Sequence, residues 1–340
     1  MKLPRLTRRP ASQLKLIFNP FSGVAGKSPA QLMEIIKELQ AAGLVPEIYL
    51  VNPDENLSQV VEEALQRGVN TFVVCGGDGT VDIVASALAG KHATLGIIPT
   101  GTQNNVALSL GIPLANIPAA VELLTTGKRI KVDVGVATCG DSKRYFLEVC
   151  SVGLLSALFP AADEIQHGNL VRIGDLLSTL VTFPPAQLRL TLDHQDEIVT
   201  QGHVVLVGNM PYIGPHFRMD PATQMDDGLL EVLIFANLTK LDLIGSAVQI
   251  AGGGPEGGLQ DTRVKRYHVR RATIESTPAM PVLVDGVAMG EGAVSIGVNR
   301  HALQVITGKR PGLAAEPEAS APAQEEPPAD AQDSNESGGE

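Results

Sequence analysis

Two hydrophobic rhythms divide the chain. Up to about residue 125, short apolar runs alternate with amphipathic stripes of helical period. Residues 13–18 form an apolar run suited to a buried strand. Ser28 and Pro29 then mark a helix start, Leu32, Ile35, Ile36 and Leu39 follow at helical spacing, and Gly43 closes the segment. Residues 47–51 alternate as a second strand. Val60, Val61, Ala64 and Leu65 make a second helical stripe that ends at Gly68. Residues 71–75 and 94–98 are further strands, each followed by a polar loop and a helix. Strand and helix in strict alternation predict a three-layer α/β domain with a parallel sheet.

The rhythm changes near Lys131. Residues 131–138, 144–151, 187–193, 203–208, 229–234, 264–275 and 281–284 read as strands, with helical interruptions only near 163–181 and 241–251. That pattern predicts a mostly antiparallel β-sandwich. The expected organisation is a frayed N-terminus (1–12), an α/β domain (13–130 plus 302–309), a β-sandwich domain (131–301) and an acidic disordered tail (310–340).

Composition narrows the function classes. The net charge is −11, and eight acidic residues lie between Pro311 and Glu340, so the rest of the chain carries only −3. Aromatic residues are 4% and Trp is absent, which argues against a stacking platform for nucleic acid. Cys75, Cys139 and Cys150 have neither disulfide nor zinc spacing, and the seven histidines show no paired metal spacing. No apolar stretch approaches a membrane span. A cytoplasmic protein, peripheral at a membrane if its substrate is a lipid, is the expectation.

Chemistry concentrates in three loops at predicted strand ends. The first is Gly76-Gly77-Asp78-Gly79-Thr80, between a strand and a helix. Three glycines let the backbone approach a bulky anion, and the following helix N-terminus favours phosphate. Asp78 would repel phosphate unless a divalent cation stands between them, which points to Mg²⁺ with a nucleotide. The second is Pro99-Thr100-Gly101-Thr102-Gln103-Asn104-Asn105. The third is Asn19-Pro20-Phe21-Ser22-Gly23, with Lys27 before the next helix. Loops at the C-terminal ends of neighbouring parallel strands face one crevice, the usual ligand site of such sheets.

Together these loops resemble the diacylglycerol kinase catalytic-domain family, which includes bacterial lipid kinases and sphingosine kinases. Its NPxSG, GGDGT and PxGTxN motifs stand at 19–23, 76–80 and 99–104. Later elements match at 207–214, 220–222, Asp226-Asp227-Gly228 and Val284-Asp285-Gly286. The resemblance implies a fold shared with NAD kinases, with ATP and Mg²⁺ in the cleft and a last strand, near 302–307, returning to the first domain. It implies phosphoryl transfer to a lipid hydroxyl at a membrane surface, with a homodimer left open. Asn19, Ser22, Gly23, Gly76, Gly77, Gly79, Thr80, Thr100, Gly101, Thr102 and Asn104 would bind the nucleotide. Asp78 and Asp285 would be catalytic, with Asp78 and Asp227 toward metal. Asp285 would position the hydroxyl and accept its proton, and 153–159 would wall the acyl chain.

Three carboxylates are missing from the resemblance. Asp82 and Ile83 stand where the family often has Asn-Glu, Asn105 where it often has Asp, and Val287 where it has the Glu of DGE. Asp82 is placed to compensate. Glu291 is near the missing Glu in sequence only. Two alternatives follow: an NAD kinase-like enzyme, or a nucleotide- or lipid-binding regulator.

Overall fold

The structure, a computed structural model, describes residues 14–23, 28–166, 169–193, 197–213, 217–219, 223–236, 238–239, 242 and 263–309. The first half alternates as expected: β1 (Leu14–Phe18), α1 (Ser28–Ala41), β2 (Glu47–Leu50), α2 (Leu57–Gln66), β3 (Thr71–Gly76), α3 (Asp78–Leu88), β4 (Thr94–Pro99), α4 (Asn105–Ser109) and α5 (Ile117–Thr126). Strands β4, β3, β1 and β2 pair in that order, all parallel. All six residues of β4 are buried and five of six in β3, because helices cover both faces. Local signals set the helix ends. The Asn56 side chain accepts the Ser58 and Gln59 amides at the start of α2. Gly68, at φ 90°, follows its last turn.

The second half opens with β5 (Lys128–Cys139), β6 (Ser142–Phe146) and β7 (Val149–Gly153). A helical insertion follows: α6 (Leu154–Gln166), a 3₁₀ turn (Leu170–Arg172) and α7 (Ile173–Thr182). Then come β8 (Ala186–Leu192), β9 (Ile198–Gly208), the short pair β10 (Tyr212–Ile213) and β11 (Phe217–Arg218), β12 (Leu230–Ala236), β13 (Val264–Val269), β14 (Arg271–Thr277), β15 (Pro281–Val284), β16 (Val287–Glu291) and β17 (Val294–Thr307). Apart from β17 on β4, their pairings are antiparallel. β8 shows the half-buried alternation, with Ala186, Leu188, Leu190 and Leu192 inside.

β17 joins the halves. Its first part pairs with β14, and its last part runs parallel to β4 through Gln304↔Thr94 and Val305↔Leu95. β5 accompanies it for the whole length, with a bulge between Asn299 and Leu303. Fully buried Asp133 clamps that bulge, accepting the amides of His301 and Gly228 at 2.6 Å each.

Three expected elements are corrected. The strand expected at 144–151 is two strands, interrupted at Leu147 and Glu148, because the Leu147, Glu148 and Val149 amides turn to the Asp285 carboxyl. The strand expected at 264–275 breaks at Arg270, where the Asp193 carboxylate accepts the Arg270 and Arg271 amides. The helix expected near 163–181 is the α6–α7 pair, which begins at Leu154. The helix expected near 241–251 lies outside the described residues, apart from Asp242.

Candidate functional site

The three loops meet at the C-terminal ends of β1, β3 and β4, backbone against backbone. A Cβ on Gly101 would lie 2.3 Å from the Gly77 Cα, and one on Gly23 (φ 76°) 2.3 Å from the Thr100 carbonyl oxygen. Only glycine permits these approaches. Asn19 Nδ2 donates to Thr80 Oγ1 at 2.8 Å, and the Gly77 amide donates to Ser22 Oγ at 3.3 Å. Asn104 sits in the left-handed region (φ 58°) and closes its amide onto Gly101, accepting at 3.0 Å and donating at 2.8 Å. Its side chain therefore shapes the loop. Thr102 and Gly79 remain exposed, and the buried Thr100 hydroxyl has no partner among the described residues. Gly76 is buried against Thr80. Lys27 lies outside the described residues.

Behind the loops the fold gathers four carboxyls: Asp78 and Asp82 on α3, Glu148 at the β6–β7 break, and Asp285 in the β15–β16 turn. Asp78 Oδ1 accepts the Val106 amide at 3.1 Å, fixing the first turn of α4 to the glycine loop. Asp285 is at φ 42° and is followed by Gly286 at φ 79°, a two-residue turn that needs both positive angles. Its Oδ2 accepts the amides of Leu147 (2.7 Å) and Glu148 (3.2 Å), and its Oδ1 that of Val149 (2.7 Å). Asp82, only 4% exposed, pairs with Arg144 at 2.5 Å and hydrogen-bonds Asp285. Asn105 Nδ2 donates to Glu148 Oε2 at 3.0 Å.

All four acids are pushed above the ordinary carboxylate range. For Asp78 burial outweighs the amides of α4 that favour the charged form. For Asp82 burial outweighs Arg144. Asp285 and Glu148 rise furthest. Burial leads in both; the Asp82 charge adds for Asp285, and the charges of Asp78 and Asp285 add for Glu148. Arg144 and the Asp82–Asp285 hydrogen bond favour the charged form of Asp82, while the same contact disfavours that of Asp285.

The donor set fits a hard cation. It is all oxygen and overcharged, and Asn105 Oδ1 is buried beside it without a partner among the described residues. Among the described residues no three His, Cys, Asp or Glu side chains are arranged to ligate a metal directly. A cation here would keep waters and substrate oxygens in its shell, the habit of Mg²⁺. Asp227 stands apart. It accepts the Leu229 amide at 2.9 Å, and burial raises it, with further effects from Asp133, His268 and Asp226 rather than from the four acids.

Sequence reasoning missed Glu148 and Arg144, which read as strand positions. The one signal was a lone acid inside the apolar run Phe146-Leu147-Glu148-Val149-Cys150. Glu291 pairs with Pro281 at the far end of the hairpin from Asp285, so it does not replace the acid missing at Val287.

Comparison with known proteins gives this geometry a family. Residues 13–137 match the model of the diacylglycerol kinase catalytic domain, and 160–307 that of the YegS C-terminal NAD kinase beta sandwich-like domain. A probable YegS-like lipid kinase of Pseudomonas aeruginosa is 30% identical over 256 residues, 74% of this chain and 81% of that one. A diacylglycerol kinase of Mycobacterium tuberculosis is 27% identical over 292 residues, 84% and 92% of the two chains. A crystal structure from Bacillus anthracis assigned as a diacylglycerol kinase superposes with a TM-score of 0.67 at 25% identity, covering 87% of this chain and 97% of that one. The chain belongs to the family of diacylglycerol kinases and YegS-like lipid kinases.

Proposed function

We propose that the protein transfers the γ-phosphoryl group of ATP, with Mg²⁺, to the hydroxyl of a diacylglycerol-like lipid. The observation that carries this reading is the contact of three glycine loops at one crevice with four carboxyls directly behind it. The α3 N-terminus and the exposed Gly79 and Thr102 face the phosphates. Asp78 is the side chain that would hold Mg²⁺ through water, and the cation would supply charge neutralisation. The chain's own part is positioning. The Asn104 clasp and the Asp78 link to Val106 hold the two phosphate loops at a fixed spacing.

The lipid reaches this site from the α6–α7 side. Leu155, Phe159, Val171, Ile173, Leu177 and Val181 are all exposed there, and α7 buries none of its residues. A Cβ on Gly286 would lie 3.1 Å from the Phe159 ring, so the apolar face abuts the Asp285 turn. No helix among the described residues is long and apolar enough to cross a membrane. An exposed apolar face of this kind would touch a bilayer from outside.

The test is label transfer from [γ-³²P]ATP with Mg²⁺ to diacylglycerol, a sphingoid base, undecaprenol, phosphatidylglycerol and NAD. Labelled lipid supports the reading and names the acceptor. Label on NAD alone moves the chain to dinucleotide chemistry. ATP binding without transfer leaves a regulator.

A further inference from the structure

Resting on that kinase reading, we propose that Glu148 is the carboxylate that takes the proton of the acceptor hydroxyl. It would do so from the β6–β7 break, in a chain with no acid at Asn105 or Val287. Partners and assigned roles decide between the four acids. Asp78 gives one oxygen to the Val106 amide and is the residue assigned to Mg²⁺, Asp82 pairs with Arg144, and Asp285 accepts three backbone amides with both oxygens of its carboxyl. Glu148 has one oxygen fixed by Asn105 at 3.0 Å, and its other oxygen makes no hydrogen bond among the described residues. That oxygen is not among the sealed unpartnered atoms, and the residue is only part-buried.

Its placement is built into the fold. Asp285 accepts the Leu147, Glu148 and Val149 amides, and the break between β6 and β7 at Leu147 and Glu148 carries Glu148 to the cluster. Asn105, the first residue of α4, then sets the carboxylate's direction. The groups that face it are Asp78 and Asp82 from α3, Asn105 from α4 and Asp285 from the hairpin turn. Val287, by contrast, is 42% exposed at the start of β16.

In the transfer step, the acceptor oxygen forms a bond to the γ-phosphorus as its proton passes to Glu148. The bond from the γ-phosphorus to the bridging oxygen breaks, and its electron pair leaves with ADP. The atoms balance with ATP and the lipid alcohol alone. The proton on Glu148 returns to solvent through the same open oxygen.

The experiment uses the full chain and the lipid acceptor found above. Glu148→Gln keeps the size of the side chain and its oxygen for Asn105. It should lower kcat by about 10²- to 10⁴-fold, the usual worth of a positioned base, with KM for ATP within about threefold. The double variant Asn105→Asp, Glu148→Gln returns an acid to the other end of the same hydrogen bond. It should recover at least about tenfold over Glu148→Gln, well within the span a positioned base contributes. Melting temperature and calorimetric ATP binding separate chemistry from folding. A Glu148→Gln variant within about threefold of the parent kcat overturns the proposal, as this is far below the effect of losing a base. So does a folded, ATP-binding Glu148→Gln whose loss Asp at 105 does not relieve. No transfer by the parent to any lipid overturns the kinase reading itself, and the proposal with it.

Discussion

The Arg144–Asp82 pair offers the sharpest energetic test of the acid cluster. Asp82 is 4% exposed, Arg144 is 26% exposed, and they meet at 2.5 Å. Arg144→Met keeps much of the apolar stem and removes the charge, leaving Asp82 beside Asp285 without a counter-ion. Breaking a buried pair from one side costs about 3–5 kcal/mol. The part-exposed guanidinium and the freedom of Asp82 to take a proton reduce that to about 2 kcal/mol at pH 8. Asp82→Asn removes the charge that needed a partner, so the double variant should be no worse than Arg144→Met. Urea unfolding of the four proteins should give a coupling of about 1.5–2 kcal/mol at pH 8. Without Arg144 the Asp82 carboxyl rises further above its unfolded value. The deficit is therefore fullest above that raised value and shrinks as pH falls toward the ordinary carboxylate range. A coupling under about 0.5 kcal/mol, or one that does not change with pH, would refute the argument that Arg144 holds a buried charge.

Other outcomes follow from the same geometry. Glu148 is raised in the folded state, so the stability tied to its proton is complete below the unfolded value and lost as pH rises through the folded one. Glu148→Gln should therefore gain stability relative to the parent as pH rises above the ordinary glutamate value, and a difference in melting temperature that stays flat with pH would count against the cluster. Gly101→Ala drives a Cβ into the Gly77 backbone. Calorimetry should show ATP affinity reduced at least tenfold, about 1.4 kcal/mol, and unchanged affinity would place the nucleotide elsewhere. Leu177→Asp lies on the exposed side of α7, so folding stability should move by no more than about 0.5 kcal/mol. Its co-sedimentation with diacylglycerol-containing vesicles should fall several-fold, and undiminished binding would remove α7 from the lipid face.

Local pattern made the first domain legible. β3 and β4 are continuous apolar runs because both faces are covered, and Gly77, Gly101 and Gly23 mark places where the backbones touch. The acid cluster was harder to read because long-range pairings build it. Asp285 reaches back 138 residues to the Leu147 amide, and no periodicity in 144–151 announces that the strand will break there for it. Arg144 and Glu148 were thus hidden inside an apparent strand. Asn104 reads as a ligand donor from sequence because an amide in a glycine loop suits phosphate, and the structure adds its contact with Gly101. The left-handed backbone at that position, and the closure onto Gly101, depend on a geometry that sequence alone does not display. Asp227 carries the right motif, yet the β17 bulge and Asp133 hold its turn in a different neighbourhood.

On this reading the nucleotide would lie on the glycine loops and the lipid on α6–α7, with the four acids between them. Hydrogen exchange of the full chain, with a non-hydrolysable ATP analogue and Mg²⁺ and then with diacylglycerol vesicles, tests it most directly. The nucleotide should protect residues 76–82 and 100–106, and the vesicles should protect 154–182. Protection of one region by both ligands, or nucleotide protection outside the loops, would contradict the account.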